Sequence, residues 1–494
     1  MSAAEQAKAD SSPAAVQEDN ILEKVYAATE ARTEDEKQEA QSLFKRFLQE
    51  IVEGHQVSKT VEKTIKYWKT QIDKKLSAQL NEIMHQPEFQ KLEATWRGLH
   101  YLVHQSETGD TLKIRALNAT KTELLNDLEN AVEFDQSTFF KKVYEDEYGI
   151  LGGTPYGMLV GDYEFSRHPQ DIKLLDEISK VAAQAHAPFI AAADPKMLNL
   201  KSFADLPNPR ELARQFDTPD AIPWKSFRDS EQARYTALTM PRVLARYPYG
   251  EDFRKVQEFN FEEAVDGKEH NNYLWMNAAW AYAARVTNAF ALHGWFAATR
   301  GVENGGIVEG LPVHTFRTDE GDMAMKCPSE IAITERREYE LSNLGYLPLV
   351  HYKNKDCAVF MGAQSCNKPK DYFDSNAKAN AQLSSKINYL MCVSRFAHYL
   401  KVMARNWVGS FKEKDECERK LNEWIQNYVL ATPELAGPDA RAKRPLKEAK
   451  IEVTEVPGMP GHFQAKAYLK PHFQFEAIDV TMSLVARIPP KPGA

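Results

Sequence analysis

Residues 447–489 constrain this chain more than any other stretch. They hold three strand-like runs, at 449–456, 462–470 and 473–488. Pro457-Gly458-Met459-Pro460-Gly461 separates the first two and is a strong turn signal. A sheet this small cannot stand alone, because an isolated hairpin is marginal in water and needs a packed face. Exposed strand edges carry unpaired N–H and C=O groups that template pairing with another chain. These runs therefore point to assembly rather than to a pocket.

The 494-residue chain is too long for one small core, and about three domains, or a larger two-part fold, fit its length. Lys plus Arg is 62 against 70 for Asp plus Glu, a net charge of −8. That balance argues against a nucleic-acid binder, which carries a basic excess on its binding domain. The cysteines, Cys327, Cys357, Cys366, Cys392 and Cys417, form no Cys-x-x-Cys pair, so zinc and redox motifs are not expected. Buried or half-buried thiols in a reducing cytoplasm are the plain reading. Residues 1–20 lack the basic start and apolar core of a secretory signal. No apolar run is long enough to span a bilayer, so no direct membrane insertion is expected.

Residues 1–19 are rich in Ala, Ser, Gln and acids and have no apolar periodicity, the composition of a disordered tail. A short amphipathic helix follows, with Asn20 as N-cap, Glu23 as capping-box partner and Ile21, Leu22, Val25 and Ala28 as its stripe. A second helix is expected over about 36–52. From Val61 to His104 the pattern is helical again, broken at Pro87, and predicts an antiparallel helix pair. Leu112–Leu117 reads as a strand, about 120–131 as a helix, and Leu159–Tyr163 as a buried strand. A helix over about 170–187 and a short apolar run at Ala187–Ala193 complete a strand–helix–strand order, which suggests an α/β layer. Residues 272–300 read as a buried helix, and 378–430 as two long ones.

The chain offers no credible active site. Gly149–Gly153 and Gly301–Gly306 lack the Lys-Ser/Thr ending of a phosphate loop and read as tight turns. Ser365 is not in a G-x-S-x-G elbow, and Cys366 has no identifiable base. His100 and His104 share a helical spacing but lack the third ligand that zinc requires. Asp162 and Glu164 form no evident catalytic dyad. No catalytic residue, cofactor site or metal site is expected.

Pro87–Leu99, Tyr156–Phe165, Arg234–Arg242, Glu309–Pro312, Lys326–Thr334 and Ser394–Lys401 together resemble the large subunit of the type VI secretion contractile sheath (TssC/VipB family). The likeness runs in order from about residue 58 to 488 and is looser before that. It implies a non-enzymatic, mechanical protein of the bacterial cytoplasm. The fold class it implies is α/β (mixed α+β), a phage-tail-sheath-like body with N-terminal helices and C-terminal strands exchanged between protomers. The expected division is 1–58, tail and amphipathic helices; 59–375, the N-terminal sheath region; and 376–494, the C-terminal sheath core.

The resemblance also implies partners. These are a small sheath subunit (TssB/VipA-like), neighbouring sheath heterodimers, an inner tube protein (Hcp-like), a baseplate and an AAA+ unfoldase (ClpV-like). Asn20, Ile21, Leu22 and Val25 would form the unfoldase-recognition helix. Ile65, Trp68, Ile72 and Leu76 would pack with the small subunit. Ile451, Val453, Phe463, Phe473, Phe475, Ile478 and Val480 would lie on the inter-protomer strands. The rivals are a single-component, phage-like sheath and a cytosolic hydrolase using Ser365 or Cys366.

Overall fold

A computed structural model describes residues 61–257, 259–267, 269–409, 413–457, 462–472 and 474, together with Glu36, Gln38, Ser42 and Lys45. Those four isolated residues are helical and fall within the expected second helix. The tail 1–19 and the capped helix with Asn20, Ile21, Leu22 and Val25 lie outside the described residues. So do Phe473, Phe475, Ile478 and Val480. The chain divides into two compact units, one reaching Leu80 and including Lys255–Glu262, the other Asn81–Arg254 with Glu263 onward.

Helix α1 spans Val61–Met84. In its first-unit part, Trp68 meets Tyr67 edge-on, with ring centroids 5.7 Å apart.

The second unit is built on a sheet whose order is β1-β2-β3-β9-β10-β6. Its strands are β1 (Leu159–Phe165), β2 (Phe189–Ala193), β3 (Thr236–Met240), β6 (Ile307–Val308), β9 (Tyr346–His351) and β10 (Ala358–Phe360). Between them lie the short pairs β4 (Val243–Leu244) with β5 (Trp275–Met276), and β7 (Thr315–Arg317) with β8 (Met323–Met325). β1, β2, β3 and β9 run parallel, while β10 and β6 join antiparallel. The helices around them are α2 (Pro87–His104), α3 (Lys121–Asn130), α4 (Pro169–Ala185), α5 (Ile222–Asp229), α6 (Ala278–His293) and α7 (Glu335–Asn343).

Both faces of the sheet are covered. Phe189, Ala191, Leu238 and Tyr346 join the core that contains Leu175, Ile178 and Val181 of α4. Ile190, Ala237, Leu347 and Leu349 point the other way, into the core with Ala281 and Tyr282 of α6. Strands buried on two faces need apolar residues at every position, which is why β2 reads Phe-Ile-Ala-Ala-Ala without alternation. α6 is in turn covered by α2, so its Ala-rich sequence is buried almost all round. Asn277 caps its first turn through the Ala279 N–H, at 2.7 Å.

α2 therefore packs on α6, a helix distant in sequence. Gly98 makes this possible, since a Cβ there would sit 2.3 Å from the Trp280 ring. The run Leu112–Leu117 is not a strand. Its half-buried side chains alternate, but among the described residues no strand pairs with it, and Leu117 is exposed. Arg115 there is held by Glu147, Thr154 and Tyr156. The next helix, α3, starts with a complete capping box between Thr120 and Glu123.

The C-terminal part carries α8 (Ser375–Ser384), α9 (Ile387–Asn406), α10 (Lys414–Gln426) and α11 (Pro438–Lys443). They lead into a hairpin of β11 (Leu446–Glu455) and β12 (Phe463–Pro471). The first two predicted C-terminal strands are thus present and antiparallel, with Ile451 opposite Ala467 and Val453 opposite Ala465. The third lies outside the described residues.

Candidate assembly surfaces

The hairpin has two unlike edges. Ile451 and Val453 turn their side chains into a core with Trp295, Phe396, Leu421 and Ile425. Their backbone groups face α10, whose side chains take the place of a neighbouring strand. Asn422 donates through Nδ2 to the Ile451 carbonyl at 2.7 Å and accepts from the Ile451 N–H at 2.9 Å. Glu418 accepts from the Val453 N–H at 2.9 Å, and Gln426 donates to the Ala449 carbonyl at 3.1 Å. The outer edge of β11 is thereby closed.

By the antiparallel pairing rule, Ala465, Ala467 and Leu469 opposite them turn their backbone N–H and C=O outward on β12. Among the described residues nothing ladders with that edge. Phe463 and Tyr468 are exposed on the same strand.

α2 also has two sides. Ala94, Gly98 and Leu102 look inward, while Phe89, Leu92, Trp96 and Val103 look outward. Trp96, at 64 % exposure, is the most open of these. With half-buried Leu99, the outward set is spaced 3-4-3-4, the pattern of a helix–helix seam. On α1, Ile72 and Leu76 are exposed and Trp68 is half-buried. Ile65 lies on that helix, but its side chain is outside what is described. The sequence had singled out the α1 residues and left α2 undivided. The signal on α2 is a second apolar stripe on a helix whose first stripe is already buried.

At the carboxyl ends of the parallel strands, where open α/β sheets bind ligands, the charges satisfy one another. Arg242 bridges Glu164 at 2.5 Å and Glu330 at 3.2 Å, and His270 also meets Glu330. Nearby, Arg246 joins Glu263 at 2.6 Å and Glu93 of α2 at 2.8 Å. Burial alone would raise the Glu93 carboxyl, but Arg246 and Arg97 hold it below its ordinary value. Asp162 accepts from Trp280 and Thr95, away from Glu164, because the β1–β2 register shifts between Val160 and Glu164.

The hydrolase reading loses its nucleophiles. Ser365 and Cys366 are fully buried, and burial pushes the Cys366 thiol up to about 12. In the Gly301–Gly306 turn the Gly301 N–H bonds Phe360 and the Gly306 N–H bonds Gly301, leaving neither for a phosphate. His100 and His104 stack at 3.7 Å, and no described group of three ligands could hold a metal ion. No helix among the described residues is long and apolar enough to cross a membrane.

A closed interior with open seams is the construction of a subunit that completes itself by assembly, and the relatives of this chain are such proteins. Residues 67–367 match the family model described as EvpB/VC_A0108, tail sheath N-terminal domain. Residues 376–488 match EvpB/VC_A0108, tail sheath gpW/gp25-like domain. The chain belongs to this tail sheath family. More particularly, it is 50% identical over 420 residues to the type VI secretion system sheath protein TssC1 of Pseudomonas aeruginosa, covering 85% of this chain and 84% of that protein. It is a structural subunit of a contractile sheath.

Two solved structures overlap with it more loosely. They are the 6-fold symmetrised cryo-EM baseplate of the anti-feeding prophage, with a TM-score of 0.39, 11% identity and coverage of 76% and 84%, and its contracted helical sheath, with 0.29, 12%, 64% and 75%.

Proposed function

We propose that this chain is the large half of a two-component sheath, acting in the bacterial cytoplasm. It pairs with a small TssB/VipA-like subunit, polymerises around an Hcp-like tube on a baseplate, and contracts to drive the tube into a target cell. The carrying observation is the hairpin with one edge capped by α10 and the other unpaired among the described residues. A neighbouring heterodimer adds a strand at the Ala465–Leu469 edge, and main-chain hydrogen bonds hold the joint while the bodies move. Helix seams on α1 and α2 are where the small subunit packs. Each large side chain covered there contributes about 1.5–3 kcal/mol.

The division at 58 and 375 is supported by where the two family models lie, 67–367 and 376–488. Residues 20–31, with Asn20, Ile21, Leu22 and Val25, serve as the handle for a ClpV-like unfoldase that recycles contracted sheath. Replacing Ile21 and Val25 by Asp then leaves assembly intact and abolishes unfoldase binding; unchanged binding would refute the handle.

Co-expression with the small subunit tests the whole reading, with negative-stain microscopy as readout. Tubes are expected from the pair, and heterodimers without tubes when residues 471–494 are deleted. Normal tubes from that truncation overturn the strand joint. Tubes from this chain alone would instead favour a single-component, phage-like sheath.

A further inference from the structure

Beyond the hairpin, the chain is tied down by bonds that the β11–β12 ladder does not require. The ladder ends with Pro471 opposite Leu446. The next residue, His472, is buried and holds to the segment that leads into β11. Its N–H donates to the Pro445 carbonyl at 3.0 Å, and its Nε2 donates to the Arg444 carbonyl at 2.9 Å.

Gln474 reaches further, to α9 and to the loop after α6. Its backbone N–H donates to Tyr389 Oη at 2.8 Å. Its Nε2 donates to the Ala297 carbonyl at 2.9 Å. A carbonyl can only accept, so this bond settles the orientation of the amide and leaves Oε1 for Asn388, whose Nδ2 donates to it at 3.2 Å. Asn388 is fully buried in the first turn of α9. A buried amide is costly unless it is bonded, and Gln474 supplies the partner for its Nδ2.

These partners belong to the body of the subunit. Ile387, Leu390 and Met391, beside them on α9, join the core on the α6 face of the central sheet. The Ile387 N–H donates to the Ala363 carbonyl at 2.7 Å, just past β10. Gln474 is therefore anchored to the sheet body and not to the hairpin it follows.

We propose, on the sheath reading above, that Gln474 with His472 clamps the root of the C-terminal segment 475–494 to the sheet body, and that the clamp bears load when this segment pairs with a neighbouring copy of the chain. Without it, a pull on the segment would act on the Leu446–Pro471 end of the ladder and open the hairpin one pair at a time. With it, the pull meets the bonds to Tyr389, Ala297 and Asn388 together and passes through α9 into the sheet core. The hairpin can then hold a neighbour's strand while its own C-terminal segment is under tension. Gln474 is a positioning residue, setting where the segment leaves the body.

The test is co-expression of the full chain with the small subunit, comparing wild type with Gln474→Ala and with Gln474→Met, which keeps the length of the side chain and loses its amide. Both variants should give heterodimer in wild-type yield and unchanged hydrogen exchange over β11 and β12. Sedimentable tubes should fall about tenfold, the loss expected from two hydrogen bonds. Asn388→Leu removes one of the same bonds from the α9 side, so adding it to Gln474→Ala should make the defect little worse. The Gln474 amide of the wild type should exchange slowly, and exchange at the rate of a free amide overturns the clamp. A normal yield of tubes from either variant overturns it too; from Gln474→Met alone, it would assign the effect to packing. Loss of the heterodimer in both variants also overturns it, because Gln474 would then serve the fold of the subunit itself. No tubes from the wild-type pair would sink the sheath reading, and the clamp with it.

Discussion

The central sheet is built of apolar strands buried on both faces, while the C-terminal hairpin is built of strands rich in Lys and Glu with one face exposed. In the sheet, α4 and α6 cover the two faces, and the strand-end charges Arg242, Glu164 and Glu330 pair among themselves. In the hairpin, one face is buried and one edge is capped by Asn422, Glu418 and Gln426, while the β12 edge faces outward. The sheet makes the subunit stable.

The largest effect should come from the closed region. Phe360→Ala, at a fully buried β10 position against Tyr282, is expected to cost about 3–5 kcal/mol. Urea unfolding of the purified chain would show it as a lowered midpoint. A cost under about 1 kcal/mol would mean that the sheet core is not the stability centre.

The joint between the regions should respond to acid. His398 of α9 bonds the Ala185 carbonyl at the end of α4. Burial lowers this imidazole from 6.5 to about 4, reinforced by Arg395, His186 and Lys401. At high pH it is neutral in both states. As pH falls below 6.5 the unfolded chain takes up a proton that the folded chain refuses until about 4. Stability is therefore lost across that window, by about 3 kcal/mol at its lower end. Unfolding midpoints should fall less steeply with acid in His398→Gln, and identical slopes would remove His398 from the account.

A smaller effect is expected at the capped edge. Asn422→Ala leaves the N–H and C=O of Ile451 without their partner and should cost about 1–3 kcal/mol. Faster hydrogen exchange at the Ile451 amide would localise the loss.

The smallest effect on the folded chain, and the sharpest on assembly, belongs to the open edge. Ala467→Pro removes an N–H that points away from β11, so the hairpin ladder survives and the chain should change by less than about 1 kcal/mol. Tubes should nevertheless fail to form when it is co-expressed with the small subunit. Intact tubes would show that β12 does not accept a strand.

Much of the fold was legible in the text of the chain. The β2 run, the α4 and α6 helices and the strands β11 and β12 follow from local pattern, because apolar period and strand alternation act over a few positions. Leu112–Leu117 misled, since alternation marks a strand only where another strand lies beside it. The helix that covers α2 was also out of reach. Gly98 fits Trp280 across a separation that no local pattern encodes.

By itself, the sequence determined the family and most of the element types. These depend on local propensity, and on long motifs that stay in order along the chain. Only the tertiary structure decided which hairpin edge is shut by the chain's own side chains. That depends on α10 bringing Asn422 to Ile451, and hydrogen-bond satisfaction is a property of neighbours in space.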